Sequence, residues 1–477
     1  MASFPNGKYG NMKPKEKSPL MKRQSSIAFF EGVKFIKDDD VESQTILRKL
    51  YGDKKTKYEK RRIKSRPLFV LWKNALELPE DTTPPWVMQL REIINDSLQQ
   101  PTMKNIIKGG SFKDVVLYGS YAYSFRLIDT NVMSIREELG DLKDIINEVS
   151  KLPEFYRKRL NVPQSMNDVF STPLILSQDV GQEVTVIITR SPLCSNGTLK
   201  NYVEKVVQSK PVRIQRFAQL VYEYTKVCRK LMEKKIFHID IKPDNLFVCQ
   251  GEKREIYAYG DVDGLSLCEI EDCNRSHPAA TLFYEPVGGV KYSGVRPFAN
   301  RDVYALMKTF LKTFFNLFYA TGEKTGLFTN RPYDKGNGIP LRPHTIGKRR
   351  ETFRDIDLAM TLLGLGRQGW KSMYNYEKGK AKKIQPYLSK SQLIVLQYLR
   401  KLIITVVNLM ENVDHAFFEG AAFTLEKLSK ALKKVQDLAV RVGAVPFEDP
   451  DKPKLYHIVN RIIQGRREIT EKGKLKF

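Results

Sequence analysis

The chain is predicted to be an α+β protein, with a small strand-rich part followed by a larger helical part. Three observations predict this. Short β-branched runs broken by glycine turns crowd residues 105–190, and long segments of helical apolar periodicity fill much of 214–442. Between them lies a polar string of fixed spacing, His238-Ile239-Asp240-Ile241-Lys242-Pro243-Asp244-Asn245. At 477 residues the chain has room for two or three domains, because single cores rarely exceed roughly 250–300 residues. A hydrophobic content of 42% excludes wholesale disorder.

The elements follow in order. Residues 1–66 carry 18 Lys and Arg against 8 acidic residues and read as a basic, disordered extension, densest from Lys54 to Arg66. That patch suits nuclear import, nucleic acid or an acidic partner, and equally a solvated tail. A helical lead-in is expected over 67–104. Ile106 to Leu117 has a Gly109-Gly110 turn between β-branched runs, and a Gly119-Ser120 turn leads into a strand over Tyr121–Leu127. Ser134 and Glu137 form a capping box for a helix with Ile135, Leu139, Leu142, Ile145, Val149 and Leu152 on one face. Val184–Ile188 reads as a buried strand closing the 105–190 unit. In the second unit, 191–420, Ile214–Met232 is helical and a hairpin turns around Gly251. Val303–Tyr319 is apolar almost all round, which marks a central buried helix. Residues 321–350 form a Gly/Pro/Arg-rich insert, helices are expected near 355–364, 388–412 and 424–442, and 421–477 is a helical and basic extension.

Composition narrows the functional classes. Net charge is +26, a surplus that favours nucleic acid, acidic proteins or anionic surfaces, or else a solvated basic surface. Five cysteines in this length read as thiols of a reducing compartment rather than a disulfide framework, and no histidine pair completes a zinc site with Cys268 and Cys273. The longest apolar run, Leu402–Met410, is far short of the ~20 residues needed to span a bilayer, and no signal peptide is evident. An intracellular chain without a membrane span is expected.

The polar string sets a carboxylate (Asp240), a lysine (Lys242) and an amide (Asn245) in register on one loop. A second carboxylate, Asp261, follows on the next hairpin. Phosphoryl transfer from a metal nucleotide needs such groups: a base for the attacking hydroxyl, a cation for the moving phosphoryl and oxygen ligands for the metal. H-x-D-x-K-P-x-N resembles the catalytic loop of eukaryotic-type protein kinases, in its Ser/Thr branch. The resemblance covers roughly residues 105–420 and is strongest at 231–310. It implies a two-lobed fold with a β-rich N-lobe and a helical C-lobe, ATP with Mg2+ or Mn2+, and Ser/Thr protein substrates.

The resemblance also implies roles. Asp240 accepts the substrate proton, Lys242 neutralises the phosphoryl, Asn245 and Asp261 bind metal, and His238 packs beneath the loop. Ile239 replaces the arginine that pairs with a phosphorylated activation segment. Asp263 is a second oxygen ligand or simply solvated. A register aligning Gly264-Leu265-Ser266 with the family's G-L-S would put Val262 at the metal position and lose the carboxylate, so Asp261 is preferred. Lys108-Gly109-Gly110-Ser111-Phe112-Lys113-Asp114-Val115 is similar to the phosphate-covering glycine loop, with Gly109, Gly110 and Val115 toward nucleotide. Arg126 stands where the β3 lysine is expected. Lys113 stands where the with-no-lysine kinases carry theirs, so Lys113 is expected to reach the phosphates and to pair with Glu148. Thr281-Leu282-Phe283-Tyr284 resembles the substrate loop, but the locking glutamate appears only as Glu285-Pro286, in reversed order. Asp302 is expected to hold the catalytic-loop backbone. The pattern of divergence looks like the kinases of large DNA viruses. Two alternatives stay open: a pseudokinase scaffold, and a basic nucleic-acid-binding structural protein using Lys54–Arg66 and Lys378–Lys383.

Overall fold

The computed structural model describes residues 83–99, 106–107, 113–129, 132–177, 182–205, 210–251, 254–261, 265–268, 284–286, 297–318, 390–418 and 421–446. The basic extension, Gly109, Gly110, Asp263, the 321–350 insert, the helix expected near 355–364, Lys378–Lys383 and the C-terminal tail lie outside the described residues. Eight helices and three small sheets make an α+β protein among the residues described. No described helix is long and apolar enough to cross a membrane.

Helix α1 (Pro85–Gln99) precedes a five-stranded antiparallel sheet. Its strands are β1 (Ile106–Ile107), β2 (Lys113–Tyr118), β3 (Tyr121–Asp129), β5 (Val169–Ser177) and β6 (Gln182–Pro192), in the order β1-β2-β3-β6-β5. The β2–β3 turn uses Gly119 at φ 57°, a conformation glycine enters without steric cost. β2 and β3 have two distinct faces. Asp114, Val116, Tyr123 and Phe125 are buried, whereas Lys113, Val115, Leu117, Ala122, Ser124 and Arg126 are half-buried. Trp86 of α1 stacks on Tyr123 with ring centroids 6.0 Å apart and donates to the Asn167 carbonyl at 3.0 Å, which pins the lead-in helix to the sheet.

Helix α2 (Val132–Ser150) starts two residues before Ser134, so the expected capping box lies inside the helix rather than at its end. Of the predicted face, Leu142, Ile145 and Val149 are buried, as is Leu152 beyond the helix end, while Leu139 is half-buried and the side chain of Ile135 lies outside the described residues. After the short helix α3 (Glu154–Arg157), β4 (Leu160–Asn161) pairs in parallel with β9 (Glu255–Gly260), which is itself antiparallel to β8 (Leu246–Gln250). Helices α4 (Leu199–Lys205) and α5 (Lys210–Glu233) lead to β7 (Ile236–Phe237), which pairs with β10 (Ser266–Leu267).

The helical body centres on α6 (Phe298–Phe318), against which α5, α7 (Lys390–Phe418) and α8 (Leu425–Val442) pack. Val303, Leu306, Met307, Phe310 and Phe314 of α6 have no solvent exposure, as expected for a helix apolar all round. α8 is one-sided instead. Leu428, Leu432, Val435, Ala439 and Val442 form its buried stripe, Thr424 caps its start by accepting from the Lys427 N–H, and Gly443 ends it at φ 128°.

The cysteine expectation is corrected. Cys194 and Cys249 form a disulfide, Cys268 is disulfide-bonded too, and buried Cys228 is the free thiol among the described residues. The bridge forms because the connector after β6 runs beside β8. Val248 N–H donates to the Gly197 carbonyl at 2.9 Å, Asn196 N–H donates to that of Val248 at 3.2 Å, and Thr198 pairs with Phe247.

Candidate active site

The loop between β7 and β8 is held from beneath. Asp302, on α6, accepts the backbone N–H of His238 at 2.7 Å and of Ile239 at 2.8 Å. This clamp fixes Ile239 at φ 61°, an outlier for a β-branched residue that costs on the order of 1–3 kcal/mol and persists only where the surroundings impose it. Burial raises the Asp302 carboxyl most, and the His238 charge, the two N–H donors and Arg301 pull it back, leaving it at about 6. His238 packs beneath the loop, with its Nε2 2.6 Å from the Gly260 carbonyl oxygen.

The polar residues of the loop converge on Asp240. Lys242 Nζ donates to Asp240 Oδ2 at 2.6 Å, and Asn245 Nδ2 donates to the same oxygen and to the Asp240 carbonyl, each at 2.9 Å. The Asn245 amide nitrogen is thus spent on bracing the loop, and its Oδ1 is turned away from Asp240. At 9% exposure, Asp240 sits at the surface of the core.

Asp261 arrives from the hairpin. Gly260 N–H donates to the Asn245 carbonyl at 2.9 Å, continuing the β8–β9 ladder and setting Asp261 beside Asn245. Glycine is required at 260, because a Cβ there would run into the Phe247 ring. The hairpin rests on buried tyrosines: Tyr224 donates to the Phe247 carbonyl and Tyr259 to the Tyr224 carbonyl, both at 2.9 Å. Asp261 adopts φ 68°, a left-handed conformation that aspartate tolerates better than most residues. Its carboxylate Oδ1 accepts from Lys113 Nζ. Burial alone would raise the Asp261 carboxyl, but the charge and hydrogen bond of Lys113, helped by His238, hold it below the usual range.

Of the residues the sequence assigns to a nucleotide, Lys113, Val115 and Arg126 share one face of the β2–β3 ladder. Lys113 is directly paired with Arg126 and Val115 with Ser124. The expected Lys113–Glu148 pair is replaced: Lys113 pairs with Asp261, and Glu148 pairs with Lys151, just past the end of its helix.

The sequence offers Glu285 only in the reversed Glu285-Pro286 order and assigns it no partner. In the structure Glu285 accepts from Arg301 Nε at 3.0 Å and Nη2 at 2.5 Å, with both side chains at most 5% exposed. The signal was available in the adjacency of Arg301 to Asp302, since a buried arginine at a helix start needs a carboxylate. Tyr284, just before it, is pushed up by burial and by Asp244 and Asp240, and its hydroxyl accepts from Lys312 at 3.2 Å.

Asn245 Oδ1 and the Asp261 carboxylate are hard oxygen donors on adjacent ladder positions, and they fit a Mg2+ or Mn2+ that takes one or two protein ligands and completes its shell with phosphate and water. Among the described residues no group of three or more His, Cys, Asp or Glu could hold a metal ion. No protein-family model matches the chain, and the search of curated proteins returned no match.

Proposed function

We propose that this chain is an ATP-dependent protein kinase that transfers the γ-phosphoryl of Mg-ATP to serine or threonine hydroxyls of proteins. The observation that carries the reading is the Asp240 cluster, with Lys242 and Asn245 both bonded to its carboxylate and Asp261 one ladder position away. The five-stranded sheet, followed through 193–198 by a helical body, supports a two-lobed kinase arrangement with the site between.

In this mechanism Asp240 orients the acceptor hydroxyl and takes its proton as the oxygen bonds to the γ-phosphorus and the bond to the ADP oxygen breaks. Lys242, already on Asp240, follows the charge that develops on the phosphoryl oxygens. Asn245 and Asp261 would hold the metal, which when bound neutralises the phosphate charge. The half-buried face of β2–β3 grades from Leu117, Ala122 and Val115 to Lys113 and Arg126, which suits an apolar base at one end and phosphates at the other.

A pseudokinase scaffold is the second reading, favoured by the engagement of Asp261 with Lys113. One experiment separates the two. Purified chain is incubated with γ-labelled ATP, Mg2+ or Mn2+ and a generic protein substrate, beside Asp240→Asn. Label on serine or threonine that disappears in the variant supports the enzyme; ATP binding without transfer by either protein supports the scaffold.

A further inference from the structure

Helix α8 turns a wholly charged face to solvent. Each of its exposed positions carries a charge, and five of these residues are basic and two acidic. The acidic pair, Glu426 and Asp437, is engaged by Lys430 and Lys433, each one turn away. Lys427, Lys434 and Arg441 are left with no carboxylate partner among the described residues. They recur every seven residues, a spacing that drifts only about 20° around a helix per step. The three therefore form one row, about 21 Å long. Arg441 lies over the Tyr398 ring, 5.3 Å from its centroid, which sets this row beside the seam with α7. Lys401, one turn along α7 from Tyr398, is exposed as well. The row is also held rigidly. Asn300 exchanges hydrogen bonds with the Phe423 N–H and carbonyl just before α8. Arg229 donates to Ser429 and Gln436 along it, and Gln219 bonds the Val445 N–H and carbonyl just past its end.

We propose that the row of Lys427, Lys434 and Arg441 on α8 grips the phosphate backbone of double-stranded nucleic acid. This binding function is separate from the transfer reaction and does not rest on it. The occupant follows from charge and from what the face lacks. A duplex carries one negative charge per ~1.7 Å of axis, so a row of this length meets about twelve phosphates. Lysine and arginine make such contacts without any apolar surface. A helix that lies on a membrane dips apolar side chains below the headgroups, whereas Leu428, Leu432, Val435, Ala439 and Val442 are all turned into the core. A protein interface is centred on buried apolar anchors, and no exposed position of α8 is apolar. The net charge of +26 draws polyanions to the chain from a distance, and the carboxylate-free row gives them a place to settle. Neutralised phosphates release their condensed counterions, so binding is steeply salt-dependent and indifferent to base sequence.

Binding is read on the full chain by the fluorescence anisotropy of a labelled DNA duplex of arbitrary sequence, over a series of salt concentrations. The row variant combines Lys427→Gln, Lys434→Gln and Arg441→Gln, and glutamine keeps the helix. Its slope of log affinity against log salt is expected to be shallower by about 3, with affinity lowered about 100-fold or more near ~0.1 M salt. The charge-keeping variant, with Lys427→Arg, Lys434→Arg and Arg441→Lys, is expected to match the wild type. A control of equal net charge, with Lys151→Gln, Lys158→Gln and Lys234→Gln, is expected to stay within about threefold of it, because distant exposed charges are screened. The proposal is overturned by a wild type that binds no duplex, by a row variant that keeps the wild-type slope, or by an equal loss in the control. A further arm uses vesicles of phosphatidylserine and phosphatidylcholine. Loss of vesicle binding in the row variant, with duplex binding intact, assigns the row to a membrane surface and overturns the proposal as well.

Discussion

Asp302→Ala is the perturbation with the most distinctive consequence, because its effects on stability and on transfer separate. The substitution leaves the buried N–H groups of His238 and Ile239 without their acceptor. Orphaned donors cost about 1–3 kcal/mol each, so about 4 kcal/mol together. Against this stands the cost of keeping the carboxylate ionised in the core. Its folded value of about 6 lies above the 3.8 of an unfolded aspartate. Between those values the folded state holds the proton more than the unfolded chain, so wild-type stability falls as pH rises through that window, by about 3 kcal/mol in all. The variant escapes that fall. Asp302→Ala should therefore be about 4 kcal/mol less stable near pH 4 and about 1 kcal/mol less stable at pH 7, as read by urea unfolding at both values. Transfer at pH 7 should nevertheless drop about 100-fold or more, because Ile239 is released from its strained conformation and Asp240 moves with it. A destabilisation that grows with pH, or near wild-type transfer at pH 7, refutes the reasoning.

Other expectations follow from the same contacts. Glu285→Gln strands buried Arg301 and should cost about 3–5 kcal/mol in denaturant unfolding, with no comparable loss for a double replacement of both residues by apolar side chains. Replacing Cys194 and Cys249 by serine opens a loop of 55-residue separation and should cost up to about 4 kcal/mol without reductant; wild type and variant should converge once dithiothreitol is added. Gly260→Ala pushes a methyl group into the Phe247 ring and should cost about 1–3 kcal/mol while displacing Asp261, and a companion Phe247→Leu should restore part of both stability and transfer.

The parts legible in the sequence were those written in short spacings. Asp240, Lys242 and Asn245 lie within six residues on one turn, so their convergence follows from local geometry, and the 3.6-residue period of Leu428, Leu432, Val435 and Ala439 marks α8 directly. What escaped depends on distant chain meeting chain. Lys113 and Asp261 are 148 residues apart, and nothing local in the sequence brings them together. The Cys194–Cys249 bridge depends on the connector running along β8, which no cysteine count reveals. Strand β5 was missed because Pro173 interrupts its β-branched run, yet β5 is the sheet's edge, where a missing N–H breaks no ladder on the open side. The Ser134–Glu137 capping signature failed at α2 because the helix begins at Val132 and carries both residues within it.

The central claim is that Asp240 works on the acceptor hydroxyl, and the most direct measurement is the turnover and nucleotide affinity of Asp240→Asn beside the wild type, with saturating Mg-ATP and protein substrate. The asparagine keeps the shape of the side chain but has no basic oxygen for the proton. The account predicts that the turnover rate falls about 100- to 10,000-fold with ATP affinity within about threefold of wild type. Retained turnover in Asp240→Asn, or a loss explained wholly by weaker ATP binding, would contradict it.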